Sequence, residues 1–409
     1  MFSRDRWQEI FETIRKNKLR TFLSGFTVAL GIFIFVMLFG LGNGLKNSFA
    51  EFFMDESTNA LFLYPGKTTK AYKGFKKDRR IEFDNSDLAD IKLNFPFYLE
   101  DITPRISRST QVKYKNESDN YSTRGVSPAH RETENTVMMS GRFLNHRDLK
   151  EQSKVVVIGR LVAQDLFKNE NPLGKFLDIG SVMFRVVGVF QDSGGDREER
   201  IIYLPYTTRQ RIEKNNDKLD QIIVTFPPRV GHVGSLAFEK KLRLFLKKKK
   251  SIDPTDSGGI FINNAADNFK RNQQFANVLQ IIVTFVGLGT LIAGIIGISN
   301  IMVFVVKERT KELGIRKALG ATPRSVIQLI LQESIFITLI SGYAGMILGI
   351  ILLKNIGVTL EDFFIKNPYI DNITAFWATF ILVVFGAIAG YIPAKRAARI
   401  KPIIALRDE

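Results

Sequence analysis

Four stretches of the chain are almost free of charge: Phe22 to Leu41, Leu279 to Val306, Ile335 to Leu353 and Ala375 to Ile392. Each is close to or longer than the roughly 20 apolar residues a helix needs to cross a bilayer. The pattern predicts four transmembrane helices. The run from Leu279 to Val306 reads as one end of something longer, because no proline interrupts the chain from about Ala265 to Lys307. One helix over that stretch would measure roughly 60 Å, against a hydrocarbon core of about 30 Å. Its polar beginning, Asn268, Lys270, Arg271, Asn272, Gln273 and Gln274, would then project from the membrane as a stalk. The first helix is expected to continue outward past Gly44, through Leu45 to Phe53.

Between the first two apolar runs the periodicity changes. Val155 to Ile158, Phe176 to Ile179, Phe184 to Phe190, Ile201 to Leu204 and Gln221 to Phe226 read as short strands set off by glycine and proline turns. Ser86 to Asn94, Arg160 to Phe167 and Ser235 to Phe245 read as helices. The mixture predicts an α+β domain inserted between helices 1 and 2 of a membrane α-helical protein. Near the start, Trp7, Ile10, Phe11 and Ile14 recur at helical spacing among Arg4, Arg6, Arg15 and Lys16. That pattern suits an amphipathic helix in the headgroup layer, or one packed on other protein.

Charge assigns the sides. Basic residues precede the first span, lie between the second and third (Lys307, Arg309, Lys311, Arg316, Lys317, Arg324) and follow the fourth (Lys395, Arg396, Arg399, Lys401, Arg407). The loop from Lys354 to Thr374 has only Lys354 and Lys366, against Glu361, Asp362 and Asp371. The positive-inside rule makes both termini cytoplasmic and the inserted domain extracytoplasmic. Much of the net charge of +17 is thus topological, and no nucleic-acid partner is needed to explain it. Cysteine is absent, so the outer domain must be held by its own core. The first apolar run is longer than a usual signal-peptide core and no A-x-A-like site follows, so it reads as an uncleaved anchor.

The expected order is a cytoplasmic amphipathic helix over 1–20, the first transmembrane helix over 21–44 and a periplasmic core domain over 45–264. Stalk and second transmembrane helix follow over 265–306, then a cytoplasmic helix over 307–321. The third span with its leading helix covers 322–353, a short outer loop 354–374, the fourth span 375–393 and a cytoplasmic tail 394–409.

The cytoplasmic stretch between spans two and three carries the most specific pattern. Glu308 with Lys311, and Glu312 with Arg316, stand at the spacings that bring partners together on a helix. Leu313, Ile315, Ala318 and Leu319 form a narrow apolar strip, and Gly314 admits close approach of another backbone. Gly320 suits a helix end, Thr322 an N-cap and Pro323 a first helical position. Glu308, Arg309, Thr310, Glu312, Gly314, Ile315, Arg316, Lys317, Ala318, Gly320 and Ala321 together resemble the E-R-T-x-E-[IL]-G-I-R-[KR]-A-[LIV]-G-A run of the FtsX/MacB-like permease family of ABC transporters. The tail from Pro393 to Arg407 is similar to that family's P-A-x-x-A-[AS]-x-x-x-P-x-x-A-L-R ending. More weakly, the stretch from Gly141 to Val189 resembles its periplasmic core domain.

The resemblance implies that residues 308–320 form a coupling helix docking on a separate cytoplasmic ATPase. This chain would be a permease in the inner (plasma) membrane that passes ATP-driven motion to its periplasmic domain. The work served would be export or extraction of an antibiotic, peptide or lipoprotein, or control of a cell-wall hydrolase. Some members of the family carry an ATPase domain fused at the N-terminus, and the expectation here is a permease without one, which leaves a macrolide assignment open. Four spans per chain imply a second permease copy, as homodimer or heterodimer, with room for a periplasmic adaptor. ATP and magnesium would be bound by the partner, and this chain would hold no cofactor. The rival reading is an ATP-independent membrane-anchored sensor or binding protein.

Small residues recur at four-residue spacing within the spans: Gly289, Ala293 and Gly297; Ser341, Gly345 and Gly349; Gly386 and Gly390. Such stripes allow close helix packing in lipid, within one subunit or between two. Glu333, with Gln328 and Gln332, lies at the inner end of the third span, where an ionisable group is a functional candidate. Catalytic patterns are missing. Gly66-Lys67-Thr68 lacks the earlier glycine of a Walker A loop, since Leu61 stands there. His130, His146 and His232 are isolated, and no G-x-S-x-G elbow occurs. The chain therefore reads as a transport subunit, not an enzyme. The basic clusters Lys73 to Arg80 and Lys247 to Lys250 read as solvated surface.

Overall fold

The computed structural model describes residues 15, 18–52, 58–192, 195–363 and 365–399. The amphipathic helix expected near the start lies outside these apart from Arg15 and Lys18, as does the family-like tail beyond Arg399. In chain order the elements are α1 (Lys18–Phe52), β1 (Ala60–Pro65), β2 (Phe83–Asp84), α2 (Asn85–Asn94), β3 (Asp101–Tyr114), β4 (Glu117–Val126), β5 (Val137–Gly141), β6 (Val155–Gly159), α3 (Arg160–Phe167), β7 (Phe176–Ile179), β8 (Val182–Gln191), β9 (Ile201–Pro205), α4 (Tyr206–Ile212), β10 (Lys218–Leu219), β11 (Gln221–Thr225), α5 (Gly231–Lys249), β12 (Ile260–Asn264), α6 (Ala265–Glu308), α7 (Thr310–Ala318), α8 (Pro323–Leu360) and α9 (Asn372–Ala398), with single helical turns elsewhere. Two compact units result, residues 50–273 and residues 1–49 with 274–409.

The first of these units is an α+β domain built on one mixed sheet in the order β12-β1-β11-β3-β4-β9-β6-β8-β5, with β7 against β3 and β8. Most pairs are antiparallel, but β4 with β9 and β6 with β8 run parallel. The long strand β3 is shared by two cores, which explains why one sheet carries two. Ile106 belongs to a core with Phe83, Phe238, Leu242 and Leu246, filled by α2 and α5. Val112 belongs to another with Val162, Leu166, Phe167 and Phe184, filled by α3. Strands β6, β9 and β11 are buried along their whole length, in keeping with their unbroken apolar runs.

Four helices that lie wholly or mostly in the other unit are long and apolar enough to cross a membrane: α1, α6, α8 and α9. The first indeed continues outward as one helix to Phe52, and the long second helix is unbroken from Ala265 to Glu308. Two helix ends differ from the hydropathy limits. The stretch after Leu353, expected as loop, stays helical to Leu360, and Gly357 there packs beside the Pro368 ring. The fourth helix passes through Pro393 to Ala398, because Ala394 and Ala397 are buried against Val306 and Leu313. Between them, the loop is tied back to α1: Asn43 Nδ2 donates to the Tyr369 carbonyl at 3.0 Å, and the Lys366 amide donates to Ser48 Oγ at 2.9 Å.

The small-residue stripes divide into two kinds. Gly345 presses on the Ala29 backbone, Gly349 on Val36, and Ser341 stands against Gly25, so this stripe of α8 seats on α1. Gly386 and Gly390 of α9 lie against Thr338 and Ser334 of α8, where Ser334 Oγ donates to the Gly386 carbonyl at 3.2 Å. On α6, Gly297 rests on Thr27, but Gly289 and Ala293 face outward, and a Cβ at Gly289 would meet nothing within 4 Å. The contact with α1 uses neighbouring positions instead, Gly287 beneath the Phe35 ring and Gly294 near the Thr27 carbonyl.

Candidate functional site

The site is made where α6 gives way to α7. Arg309 leaves helical geometry (φ −90°, ψ 12°) and divides the two helices. Thr310 turns its hydroxyl back to the carbonyls of Lys307 (2.7 Å) and Val306 (3.1 Å), satisfying acceptors that the end of α6 would otherwise leave open. At the far end Gly320 takes φ +98°, a conformation costly for residues with a Cβ. Thr322 then accepts the Ser325 amide at 3.3 Å and starts α8, as its N-cap role requires.

One face of α7 is fastened. Leu313 is 1% exposed and packs with Val306, Val326, Ile330, Ala394 and Ala397, so three long helices meet beneath it. Arg309 forks onto Glu312, with Nε to Oε2 and Nη2 to Oε1 both at 3.0 Å. Its remaining Nη1 reaches Glu333 Oε2 on α8 at 3.2 Å. Burial works against the Arg309 charge, but the hydrogen bond to Glu312 and the Glu333 carboxylate hold its pKa above the ordinary guanidinium value. Glu312 also receives Arg316 Nη2 at 2.9 Å, the pair its spacing predicts. Lys317 Nζ donates to the Ala398 carbonyl at 2.7 Å and closes the end of α9.

The other face is open. Glu308, Lys311, Ala318 and Leu319 are exposed, Leu319 at 84%, and Ile315 at 44%. Gly314 is buried on the fastened side. Beside the exposed Leu319 is a cleft of about 440 Å³, lined by Leu313, Arg316, Gly320, Ala321, Val326 and Leu329 among others. An exposed leucine at the edge of a cleft of mixed polar and apolar lining, which includes Arg316 and Ser325, can receive another protein surface.

All twelve residues from Glu308 to Gly320 named from sequence as a coupling surface are gathered here, though Leu313 and Gly314 serve the anchored side. The Arg309–Glu333 bridge escapes a reading by local spacing, since its partners lie 24 residues apart. The one available signal was an acid at the inner end of an apolar run. Among the described residues no cluster of His, Cys, Asp and Glu is suited to a metal. His130 is buried, and His232 lies 3.0 Å from Asp267.

Residues 21–231 match the family model for a MacB-like periplasmic core domain, and residues 284–402 match that for an FtsX-like permease C-terminal domain. The macrolide export ATP-binding/permease protein MacB of Bdellovibrio bacteriovorus is 29% identical over 98% of this chain and 61% of its own length. Its counterpart from Mannheimia succiniciproducens is 28% identical over 100% of this chain and 62% of its own. The chain thus spans about three-fifths of the length of the curated relatives it matches. Among solved structures, the periplasmic region of MacB from Actinobacillus actinomycetemcomitans is 25% identical, with 54% of this chain and 95% of that chain covered at a TM-score of 0.44. The extracellular domain of the noncanonic ABC-type transporter YknZ from Gram-positive bacteria is 15% identical, covering 50% and 100%, at a TM-score of 0.41.

Proposed function

Since the chain belongs to the MacB-like, FtsX-like family of ABC permeases, we propose that it is a permease subunit driven by a separate cytoplasmic ATPase. In this reading α7 docks on that ATPase, and its movement on ATP binding and hydrolysis is carried by α6 to the α+β domain on the other side of the membrane. The substrate would be taken up on that outer side, an antibiotic, peptide or lipoprotein, and two copies of the permease would assemble on an ATPase dimer. Both termini would be cytoplasmic.

The observation that carries the reading is the two-sided character of α7. One side is bound to α8 by Arg309 and Glu333 and to α9 by Lys317. The other offers Ile315, Leu319 and the adjoining cleft. A helix held this way can be pushed without detaching from the spans.

The test is co-purification of the permease in detergent with its cytoplasmic ATPase. Leu319→Asp is expected to lose the ATPase while the spans insert as before. Glu308→Lys, on the open face, is expected to uncouple ATP hydrolysis from transport. Unchanged ATPase binding in Leu319→Asp, or full coupling in Glu308→Lys, would overturn the assignment.

A further inference from the structure

The basic stretch from Lys67 to Arg80 is a built element of the α+β domain, not a loose surface loop. Seven of its 14 residues are lysine or arginine, and Asp78 is its one acid. It folds as a narrow hairpin: Thr68 N–H donates to the Arg79 carbonyl at 3.0 Å, and Tyr72 and Phe75 exchange backbone bonds at 3.1 and 3.0 Å. The two-residue turn Lys73-Gly74 has φ of 45° and 83°, the left-handed pair that tight hairpins require. Cross-strand register sets Lys67 opposite Arg80, two like charges in a position that costs stability.

That repulsion is offset by fastenings at the base. The buried Asp256 carboxylate accepts the amides of Thr69 (2.7 Å) and Lys70 (2.9 Å), besides those of Gly258 and Gly259 in its own turn. Arg79 donates to the carbonyls of Lys250 (2.6 Å) and Ser251 (2.9 Å) and lies over the Phe75 ring at 4.0 Å. The charges at the hairpin differ from those beside it. Lys249 bridges Asp87 and Asp90, and Lys250 bridges Asp84 and Asp87. Among the described residues, no carboxylate pairs with Lys67, Lys70, Lys73, Lys76, Lys77 or Arg80, and all six are exposed. Phe75 stands among them at 45% exposure.

We propose that this hairpin is a docking element for an anionic phospholipid surface, with the six cations meeting headgroup phosphates and Phe75 entering the interface. Three features favour lipid over an acidic protein. Five of the six cations are lysines, point charges on flexible stems that need no fixed bidentate geometry and so suit a mobile layer of headgroups, whereas a fixed acidic protein surface would gain from the arginine fork. They stand on both strands and in the turn of one ribbon, a spread that suits a diffuse field of charge better than a single ion pair. An exposed ring among lysines is the composition of segments that rest at the membrane boundary.

The experiment uses the full chain in nanodiscs of phosphatidylcholine, mixed with vesicles of phosphatidylglycerol and phosphatidylcholine and separated by flotation. The chain is expected to float with the anionic vesicles, less so as salt is raised. Lys73→Glu/Lys76→Glu/Lys77→Glu should weaken binding about a hundredfold or more. A control with the same change in net charge at exposed Lys113, Lys154 and Lys240 should keep it. Thermal melting of each variant establishes that the domain is folded, and Phe75→Ala, which removes no charge, provides an independent measure with a smaller loss. Equal binding by the two triple variants, binding indifferent to phosphatidylglycerol, or cross-linking of the hairpin to an acidic protein without vesicle binding would each overturn the proposal.

Discussion

Arg309 is the residue on which the proposed coupling site turns. Its guanidinium serves two acids at once, Glu312 within the short helix α7 and Glu333 on α8, and all but 5% of the Glu333 side chain is shielded from solvent. Removing one partner of a buried pair leaves the other uncompensated, which costs about 3–5 kcal/mol. Arg309→Ala is therefore expected to lower the detergent melting temperature markedly. Arg309→Ala/Glu333→Leu should recover much of the loss, because an apolar pair asks for no compensation. Arg309→Lys should behave more like the alanine variant, since an ammonium cannot fork onto Glu312 while reaching Glu333. A double-mutant cycle with Glu333→Leu as its other single variant, read by thermal melting, checks the first two, and the melting of Arg309→Lys beside it checks the third. Strict additivity in the cycle would show that the bridge contributes nothing.

At the scale of elements, Gly345 and Gly289 give opposite expectations despite similar surroundings in the sequence. A side chain at Gly345 would meet the Ala29 backbone, which cannot yield as a flexible side chain can, whereas Gly289 has open space. Gly345→Leu should separate α1 from α8 and reduce the yield of folded protein, measured by gel-filtration profile in detergent, while Gly289→Leu should leave the isolated chain's profile unchanged. Elements of this kind were legible to different depths. Uniform apolar runs revealed the four spans, and continuous β-branched stretches revealed β6, β9 and β11. Strands β3 and β4 were missed because only scattered positions along them are buried, and polar residues such as Arg108, Ser109, Asp119 and Asn120 occupy the rest. Their turn at Lys115, with φ 51°, is taken by a residue that does not announce a left-handed conformation. Helix ends were misjudged at Leu360 and Ala398 for another reason: hydropathy marks where lipid would stop, and backbone hydrogen bonding continues past it.

For the whole molecule the question is how a movement at α7 would reach the α+β domain, and α6, which α7 directly follows, begins in one compact unit and ends in the other, as α1 also does. Its 44 residues contain no proline and span about 66 Å. A helix of that length transmits displacement only while its hydrogen-bond ladder is intact. Proline in a helix interior removes one bond, crowds a carbonyl and costs about 3 kcal/mol. Asn277 is exposed, so Asn277→Pro would act on the backbone alone without disturbing a packed side chain. With the permease and its ATPase reconstituted together, ATP addition should alter amide hydrogen exchange in β12 and the start of α6 in the unmodified protein. In Asn277→Pro the ATPase should still bind and hydrolyse ATP, yet that outer response should be lost, while Asn277→Ala behaves as the parent. If the proline variant responds in full, force does not travel along this helix, and α7 must act through α8, to which Arg309 ties it, and from there through α1, the other helix that continues into the α+β unit.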